Sequence, residues 1–242
     1  MRTRTLLFLF GVSVAVCLMA FAPLSLLTGE GLAKAGVSAR AVEGSIWDGR
    51  LRGAAWQGRE LGDVRARLAP LELLFGRVGA RLQLSGTASG AGVIALGRDR
   101  IGLADADLTL PSRLIAPRAP LEGRIVLRDF TARFQKGRCR TARGEARLEA
   151  VRLGDAPLQG LALVGKAACE DGFLLLPMSG HAQGAKVDAR LRLDGAGRYR
   201  LETRVVTNDA GLGLALGLAG FERTLEGSRR TDEGRIASDA GL

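Results

Sequence analysis

His181 is the only histidine among the 242 residues, so any chemistry that needs an imidazole depends on it. It stands in the segment SGHAQG at 179–184, a composition typical of a turn. Together with a serine and a carboxylate, His181 could act as the general base of a hydrolase. No serine of the chain lies in a GxSxG elbow, however, and we interpret His181 as a surface loop residue.

Two aspartates and two glycine-rich segments are the other candidates for ligand binding. Asp105 and Asp107 are two positions apart, so on a strand they share a face that could hold a cation, but we interpret them as solvated polar positions. The segment SGTASGAG at 85–92 lacks the Gly-Lys-Ser/Thr ending of a phosphate loop, and GLG at 211–213 lacks the third glycine of the dinucleotide fingerprint. We therefore predict no enzyme, no catalytic, cofactor-binding or metal-binding residue, no cofactor and no small-molecule substrate.

The three cysteines stand in different surroundings. Cys17 lies within an apolar run, whereas Cys139 and Cys169 lie in the part of the chain that we expect to be exported. Two cysteines in an oxidising compartment are expected to pair, so we predict a Cys139–Cys169 disulfide. The alternatives are two free thiols or half of a metal site, although a single histidine and the lack of a CxxC spacing argue against zinc.

Positive charge dominates the composition. Lysine and arginine together number 35 against 25 acidic residues, and the net charge is +10. Such a surface attracts nucleic acid, anionic lipid or an acidic partner. The arginines are spread along the chain, and aromatic residues, on which bases would stack, make up only 5%. We predict no nucleic-acid partner and interpret the arginines largely as the solvated face of a sheet.

The amino-terminal segment has the features of a signal anchor. Arg2 and Arg4 precede an uncharged run of 22 residues at 6–27. A membrane-spanning helix needs about 20 apolar residues, whereas the core of a cleaved signal has about 7 to 15. We predict that residues 1–28 comprise a short cytoplasmic end and a transmembrane helix, with the bulk of the chain in the periplasm. A cleaved signal is the alternative, because AFA at 20–22 has the small-x-small pattern.

The remaining chain alternates apolar and charged residues with a period of two, which is typical of strands. Residues 187–194 and 198–205 do so on either side of the glycine-rich 194–197, which predicts a hairpin. Shorter alternating stretches predict roughly ten antiparallel strands in all, and they lie at 64–68, 80–84, 123–127, 145–150 and 158–163.

Helical signals are few. Residues 70–75 begin with proline and precede a glycine, which predicts one or two helical turns, and 212–220 is ambiguous between strand and helix. Apolar content falls near the end, and we predict a disordered tail at 228–242. The predicted fold class is mainly β: a single N-terminal transmembrane helix, then a curled antiparallel sheet or β-sandwich-like periplasmic domain at 36–227 with few short helices.

The segment VEGSIWDG at 42–49 follows the apolar run closely. With this motif at this position, the chain resembles the type II secretion system protein N family (general secretion pathway protein N). Members of that family carry V-x-G-T-hydrophobic-W-x-G soon after a membrane helix. The chain is also similar to the family at 68–76, at the paired cysteines and at GRYRL in 197–201, and the resemblance covers most of residues 5–227. It departs at Arg65 and Ala66, near which members often carry a tryptophan.

The resemblance implies a non-enzymatic accessory component of the type II secretion system, anchored in the inner membrane, that aids export of folded proteins across the outer membrane. Its partners would be other secretion subunits and inner-membrane lipid. Gly44, Trp47 and Gly49 are the candidate structural or interaction residues. We expect Trp47 to pack in the first strand pair, where the two glycines permit tight bends around its ring.

A lipid-handling protein of the AsmA-like kind is the alternative, because such proteins also join a membrane helix to a curled sheet. This alternative predicts a long apolar groove lined by Leu82, Leu127 and Leu191. A sheet whose interior is filled by its own side chains would favour the secretion component instead.

Overall fold

The computed structural model describes residues 10–11, 36–68, 78–97, 99–116, 119–153, 156–158, 160–182 and 184–236. Among these residues no helix is both long and apolar enough to cross a bilayer. The predicted membrane helix at 1–28 and the predicted helical turns at 70–75 lie outside the described residues, apart from 10–11.

The described chain is mainly β, as the alternation predicted, and all 17 strands belong to one sheet. The strands are β1 (Val37–Ser38), β2 (Ala41–Gly44), β3 (Asp48–Trp56), β4 (Arg59–Leu68), β5 (Val78–Ser85), β6 (Ser89–Gly97), β7 (Arg100–Pro111), β8 (Leu121–Gln135), β9 (Arg138–Leu153), β10 (Ala156–Pro157), β11 (Leu163–Lys166), β12 (Ala168–Glu170), β13 (Phe173–Ala182), β14 (Ala185–Leu193), β15 (Arg198–Thr207), β16 (Glu222–Thr224) and β17 (Gly227–Arg235). Residues 10–11 are helical, and the other described helices are a 3-10 turn (Ser112–Leu114) and α1 (Ala210–Leu218).

Every pairing is antiparallel, and the sheet is a meander in which most strands pair with their neighbours in sequence. β1 and β2 both pair with β3, and an unbroken series of hairpins then leads from β3 to β9. From β9 the order continues through β11, β13, β14 and β15 to β17, with β10, β12 and β16 as short additions. The predicted hairpin is confirmed, since Leu193 of β14 pairs with Tyr199 of β15.

Bulges on adjacent strands bend the sheet. The β7–β8 register shifts near Asp105 and the β8–β9 register shifts near Asp129, and both aspartates have a positive φ of 46°. The buried Thr131 hydroxyl accepts a hydrogen bond from Asp105 N at 3.3 Å, which holds the first bulge in place. On β9, a Cβ atom at Gly144 would lie 2.6 Å from the carbonyl oxygen of Asp129. Aligned bulges add local twist, and the sheet therefore curls at this line.

The curl brings distant strands face to face around an aliphatic core. Ile125 of β8 and Leu201 of β15 line the same apolar cavity of about 50 Å³. Five strand-to-strand steps separate β8 from β15, so in a flat sheet the two strands would lie about 24 Å apart. Two clusters of buried side chains fill this interior, one centred on β7–β9 with β13–β15 and the other on β9, β11, β14 and β15.

Helix α1 covers the second cluster. Asp209 is its N-cap, and the Oδ1 atom accepts a hydrogen bond from Leu212 N at 3.0 Å. Leu212 and Leu216, four residues apart on one helix face, pack inward, and Leu216 is only 1% exposed. The ambiguous segment at 212–220 is thus resolved as a helix through residue 218.

The predicted tail at 228–242 is wrong for its first eight residues, which lie in β17. This strand pairs with β15 from Ser228 opposite Val205 to Arg235 opposite Arg198. Gly234 lies against the ring of Tyr199, where an added Cβ would be 2.8 Å from the phenol oxygen. Backbone pairing and a close aromatic contact therefore hold this strand, although its sequence has no apolar alternation. Residues 237–242 lie outside the described residues.

The predicted strand at 158–163 is also wrong over most of its length, since only Leu163 belongs to β11. Gly160 has a positive φ of 74°, and Leu161 N donates a hydrogen bond to Leu158 O at 3.1 Å. A turn therefore occupies these positions, since the positive φ of Gly160 and this local hydrogen bond are both typical of turns.

Candidate functional site

The segment VEGSIWDG forms the end of the β2–β3 hairpin. The Ser45 hydroxyl accepts hydrogen bonds from the backbone N–H groups of Trp47 and Asp48, each at 3.3 Å. Leu68 N at the end of β4 donates a hydrogen bond to Trp47 O at 3.0 Å, so the turn is also bound to β4. Trp47 is half-buried and lies in the turn between β2 and β3, and not within either strand.

The two glycines of the segment face each other across the hairpin. Gly44 pairs with Gly49, which is buried and also pairs with Ala66 of β4. Gly44 has a φ of +88°, and a Cβ atom there would lie 2.3 Å from the carbonyl oxygen of Asp48. The close approach of backbone to backbone is what requires a glycine at position 44.

Replacing Gly44 with alanine is expected to lower the free energy of unfolding by about 1 to 3 kcal/mol, since it adds a backbone clash to the left-handed strain. Gly58→Ala is the matched control, because Gly58 also has a positive φ of 76° and has no neighbour within 4 Å of the added atom. Urea unfolding of both variants measures the difference. Equal losses in the two variants would show that the contact with Asp48 is not restrictive.

Asp48 connects the hairpin to two arginines of β4, an arrangement that the sequence analysis missed. Its two carboxylate oxygens accept hydrogen bonds from Arg65 Nε at 2.8 Å and Arg65 Nη2 at 2.7 Å, and Arg67 Nε donates at 3.2 Å. The hydrogen bond from Arg65 is the main reason that the pKa of Asp48 falls from 3.8 to about 2. Arg65 is one of the two positions at which the sequence departs from the family pattern, and this departure was the only hint in the sequence that Arg65 has a specific partner.

The depressed pKa of Asp48 predicts a pH dependence of stability. A carboxylate whose pKa is lower in the folded state stabilises the fold above its unfolded pKa, and this contribution disappears as the pH falls from about 4 to about 2. Asp48→Asn is therefore expected to melt below the wild type near neutral pH and to approach it in acid. Thermal melting curves over this range, with Asp171→Asn as an exposed control that has no ion pair to a described residue, test this expectation. A difference that stays constant down to pH 2 would contradict it.

Cys139 and Cys169 form a disulfide in the structure, with Cα atoms 5.6 Å apart and a sequence separation of 30. Cys139 lies at the start of β9 and is buried, and Cys169 lies in the short strand β12. Cys139 N also donates a hydrogen bond to Gly172 O at 2.6 Å. The bond therefore fastens β9 to the β12–β13 hairpin beside the first core cluster.

His181 lies in β13 and not in a turn, which corrects the sequence interpretation of its surroundings. It is exposed and pairs with Lys186 of β14, while Ser179 pairs with Asp188. A serine, a histidine and a carboxylate thus share one sheet face. Among the described residues, however, no hydrogen bond joins His181 to either partner, and Asp188 forms an ion pair with Lys186 at 3.4 Å.

The paired aspartates have structural partners. Asp105 forms an exposed ion pair with Arg143 at 3.2 Å, and Asp107 Oδ1 accepts a hydrogen bond from Asp129 N at 3.0 Å. No group of three or more histidine, cysteine or acidic side chains among the described residues could hold a metal ion. Asp107 therefore connects β7 to β8, and Asp105 connects β7 to β9.

The three leucines of the predicted apolar groove do not line one groove. Leu127 and Leu191 are buried at 7% and 8% exposure in the first core cluster. Leu82 is half-buried on β5 and belongs to neither cluster. This part of the curled sheet is filled by its own side chains, which favours the secretion component over the lipid-handling alternative.

The outer face of α1 is apolar and exposed. Leu214 and Leu218, one turn apart, are 67% and 93% exposed, and Leu225 in the β16–β17 turn is fully exposed. All nine residues of the helix are alanine, glycine or leucine, so its outer face has no polar side chain. A helix that is apolar all round is usually covered on every side, so these leucines form a candidate contact surface.

The fold and these features can be compared with known proteins. Residues 35–231 match the family described as Type II secretion system (T2SS), protein N. The chain is also similar to the type II secretion system protein N of Vibrio cholerae serotype O1, at 26% identity over 180 residues that cover 69% of this chain and 71% of the relative. No solved structure matches the chain. The family match spans nearly the whole described sheet, from before β1 into β17, and the chain therefore belongs to the type II secretion system protein N family.

Proposed function

We propose that the protein is a non-enzymatic accessory component of the type II secretion system that helps folded proteins leave the periplasm across the outer membrane. The observation that carries this proposal is the family match over residues 35–231. The fold supports a contact role, since its core is filled by side chains and the polar face that holds His181 has no hydrogen-bonded triad among the described residues. The protein would act by contacts with other secretion subunits.

The proposal includes a single inner-membrane anchor in residues 1–28, with the sheet in the periplasm. It is supported by the uncharged run at 6–27 behind Arg2 and Arg4, and by the paired cysteines, which suit an oxidising compartment. A reporter that is active only in the periplasm, fused after Leu201, is expected to be active. Activity of a reporter that works only in the cytoplasm would overturn the topology.

The outer leucines of α1 are the surface to test first for subunit contacts. Placing a photo-crosslinking amino acid at Leu218 in the full chain should give adducts with other subunits of the secretion system. Phe173 is the matched control position, because it is 37% exposed and lies beneath the guanidinium of Arg192, 4.9 Å from its ring centre. Equal adducts from both positions, or none from Leu218, would contradict a contact through α1.

A further inference from the structure

The polar face of β3–β5 concentrates positive charge. Arg50 of β3 is the direct cross-strand partner of Arg65 on β4, and Arg67 of β4 is the direct partner of Arg81 on β5. Since cross-strand partners share a face, the four arginines and Asp48 form one surface, which we call the arginine face. Like charges placed directly opposite each other destabilise a sheet.

Asp48 compensates only part of this charge. Its two oxygens are used by Arg65 and Arg67. Arg50 and Arg81 are exposed and form no ion pair with any described residue. Two of the four arginines therefore bind Asp48, and the other two leave an excess of positive charge at the cross-strand pairs Arg50–Arg65 and Arg67–Arg81.

The neighbouring strands do not supply the missing negative charge. Glu43 of β2 is the cross-strand partner of Arg50, but its carboxylate forms an ion pair with Arg52 at 3.1 Å. On the other side, β6 places Val93 opposite Arg81 and Ala91 opposite Gln83. Asp63 lies two positions before Arg65 on β4 and therefore on the same face, and its carboxylate accepts a hydrogen bond from the uncharged Gly53 N at 2.8 Å. The four arginines thus share their face with two carboxylates, those of Asp48 and Asp63, and positive charge remains in excess. The face is thus complementary to an anionic surface brought from outside the described fold.

The position of the arginine face along the chain indicates which anionic surface this is. The uncharged run ends at residue 27, and β1, which pairs with β3, begins at Val37. The nine intervening residues span at most about 30 Å even when fully extended. The Trp56 end of β3, which pairs with β1, must therefore stay within this distance of any membrane that holds the run, and Arg50 lies about 20 Å farther along the same strand. Phosphate groups match the planar fork of arginine.

We propose that the arginine face docks on the phosphate groups of anionic lipids in the membrane that holds the amino-terminal run. This proposal rests on the anchor of the proposed function. Docking would orient the sheet with β3–β5 against the bilayer and with the opposite, apolar face turned away from it. It would also relieve the repulsion between the opposed arginines.

The test uses the full chain in proteoliposomes made of equal parts phosphatidylglycerol and phosphatidylcholine, with a headgroup spin label on a fraction of the phosphatidylcholine. Trp47, which adjoins Asp48, is one of two tryptophans, so a Trp56→Phe background leaves it as the only reporter. Its fluorescence should be quenched at least about twofold more than in phosphatidylcholine alone, and salt at about 0.5 M should remove the difference.

The double variant Arg50→Gln/Arg81→Gln should lose this extra quenching, because it removes the two guanidinium groups of the face that form no ion pair with a described residue. Arg100→Gln/Arg133→Gln is the matched control, since it removes the same charge from exposed positions on β7 and β8 and should leave the quenching unchanged. Melting curves of both variants check that each is folded.

Flotation of the same vesicles separates the two proposals. A chain that does not float with the lipid overturns the anchor, and the docking with it. A chain that floats but shows equal quenching in both lipid mixtures, or equal loss in both double variants, contradicts the docking alone. In that case the arginine face would instead suit an acidic protein partner.

Discussion

Replacing both Cys139 and Cys169 with serine is expected to lower the free energy of unfolding by about 3 to 4 kcal/mol. The bond closes a loop of 30 residues, which restricts the unfolded chain, and it fastens β9 to the β12–β13 hairpin beside the core. Urea unfolding of the purified full-length chain measures the loss. A dithiol reductant provides the control, since it should lower the stability of the wild type to that of the variant and leave the variant unchanged.

Two outcomes would contradict this expectation. Mass mapping of unreduced protein taken from cells should yield a peptide pair joined through Cys139 and Cys169, and two free thiols would refute the bond. If the wild type has the bond but loses no stability when the bond is reduced, the disulfide does not stabilise the fold by restricting the unfolded chain.

Replacing Leu163 with alanine is expected to cost about 2 to 5 kcal/mol. Leu163 is 0% exposed at the start of β11, where it pairs with Leu148 and belongs to the second core cluster. It also lines the existing apolar cavity of about 50 Å³, so truncation would enlarge a void that the curled sheet cannot readily close. The cost should therefore lie in the upper part of the range.

Leu225→Ala is the matched control for this core variant, because it makes the same chemical change at a fully exposed position in the β16–β17 turn. It should alter the free energy of unfolding by no more than about 0.5 kcal/mol. A Leu163→Ala loss as small as that of the control would show that the β11 region does not depend on the curled interior.

The strands that the sequence could predict are those with one apolar and one charged face. Residues 187–193 alternate cleanly because β14 is buried on one side only, and its pairing with β15 follows from the turn at 194–197. The Asp194 carboxylate supports that turn by accepting hydrogen bonds from Ala196 N and Arg198 N, each at 2.9 Å. Local pattern and turn chemistry here agree with the fold.

The elements that could not be predicted depend on tertiary contacts. β17 has no apolar residue. It is held by its pairing with β15, by the Tyr199 ring over Gly234 and by the hydrogen bond that Arg230 donates to the carbonyl oxygen of Ala219. The prediction of roughly ten strands missed several short ones of two to four residues, namely β1, β2, β10, β11, β12 and β16. Their pairing partners lie far away in sequence or on one end of a longer strand.

The candidate site, too, could be predicted only in part from the sequence. The family motif identified Gly44 and Gly49, and the structure supplies the reason for Gly44 in its contact with Asp48. Pattern alone could not reveal that Asp48 binds Arg65 and Arg67, because 17 and 19 residues separate these partners in sequence. The opposed arginine pairs likewise depend on the register of β3, β4 and β5, which no single segment specifies.

The most direct test of the account is the distribution of a folded secretion substrate in a strain that lacks this gene. The account predicts that the substrate accumulates in the periplasm, and that both the wild-type gene and His181→Ala restore its release, because no reaction at His181 is required. Undiminished release from the deletion strain, or rescue by the wild type but not by a stably folded His181→Ala, would contradict a contact-based role in type II secretion.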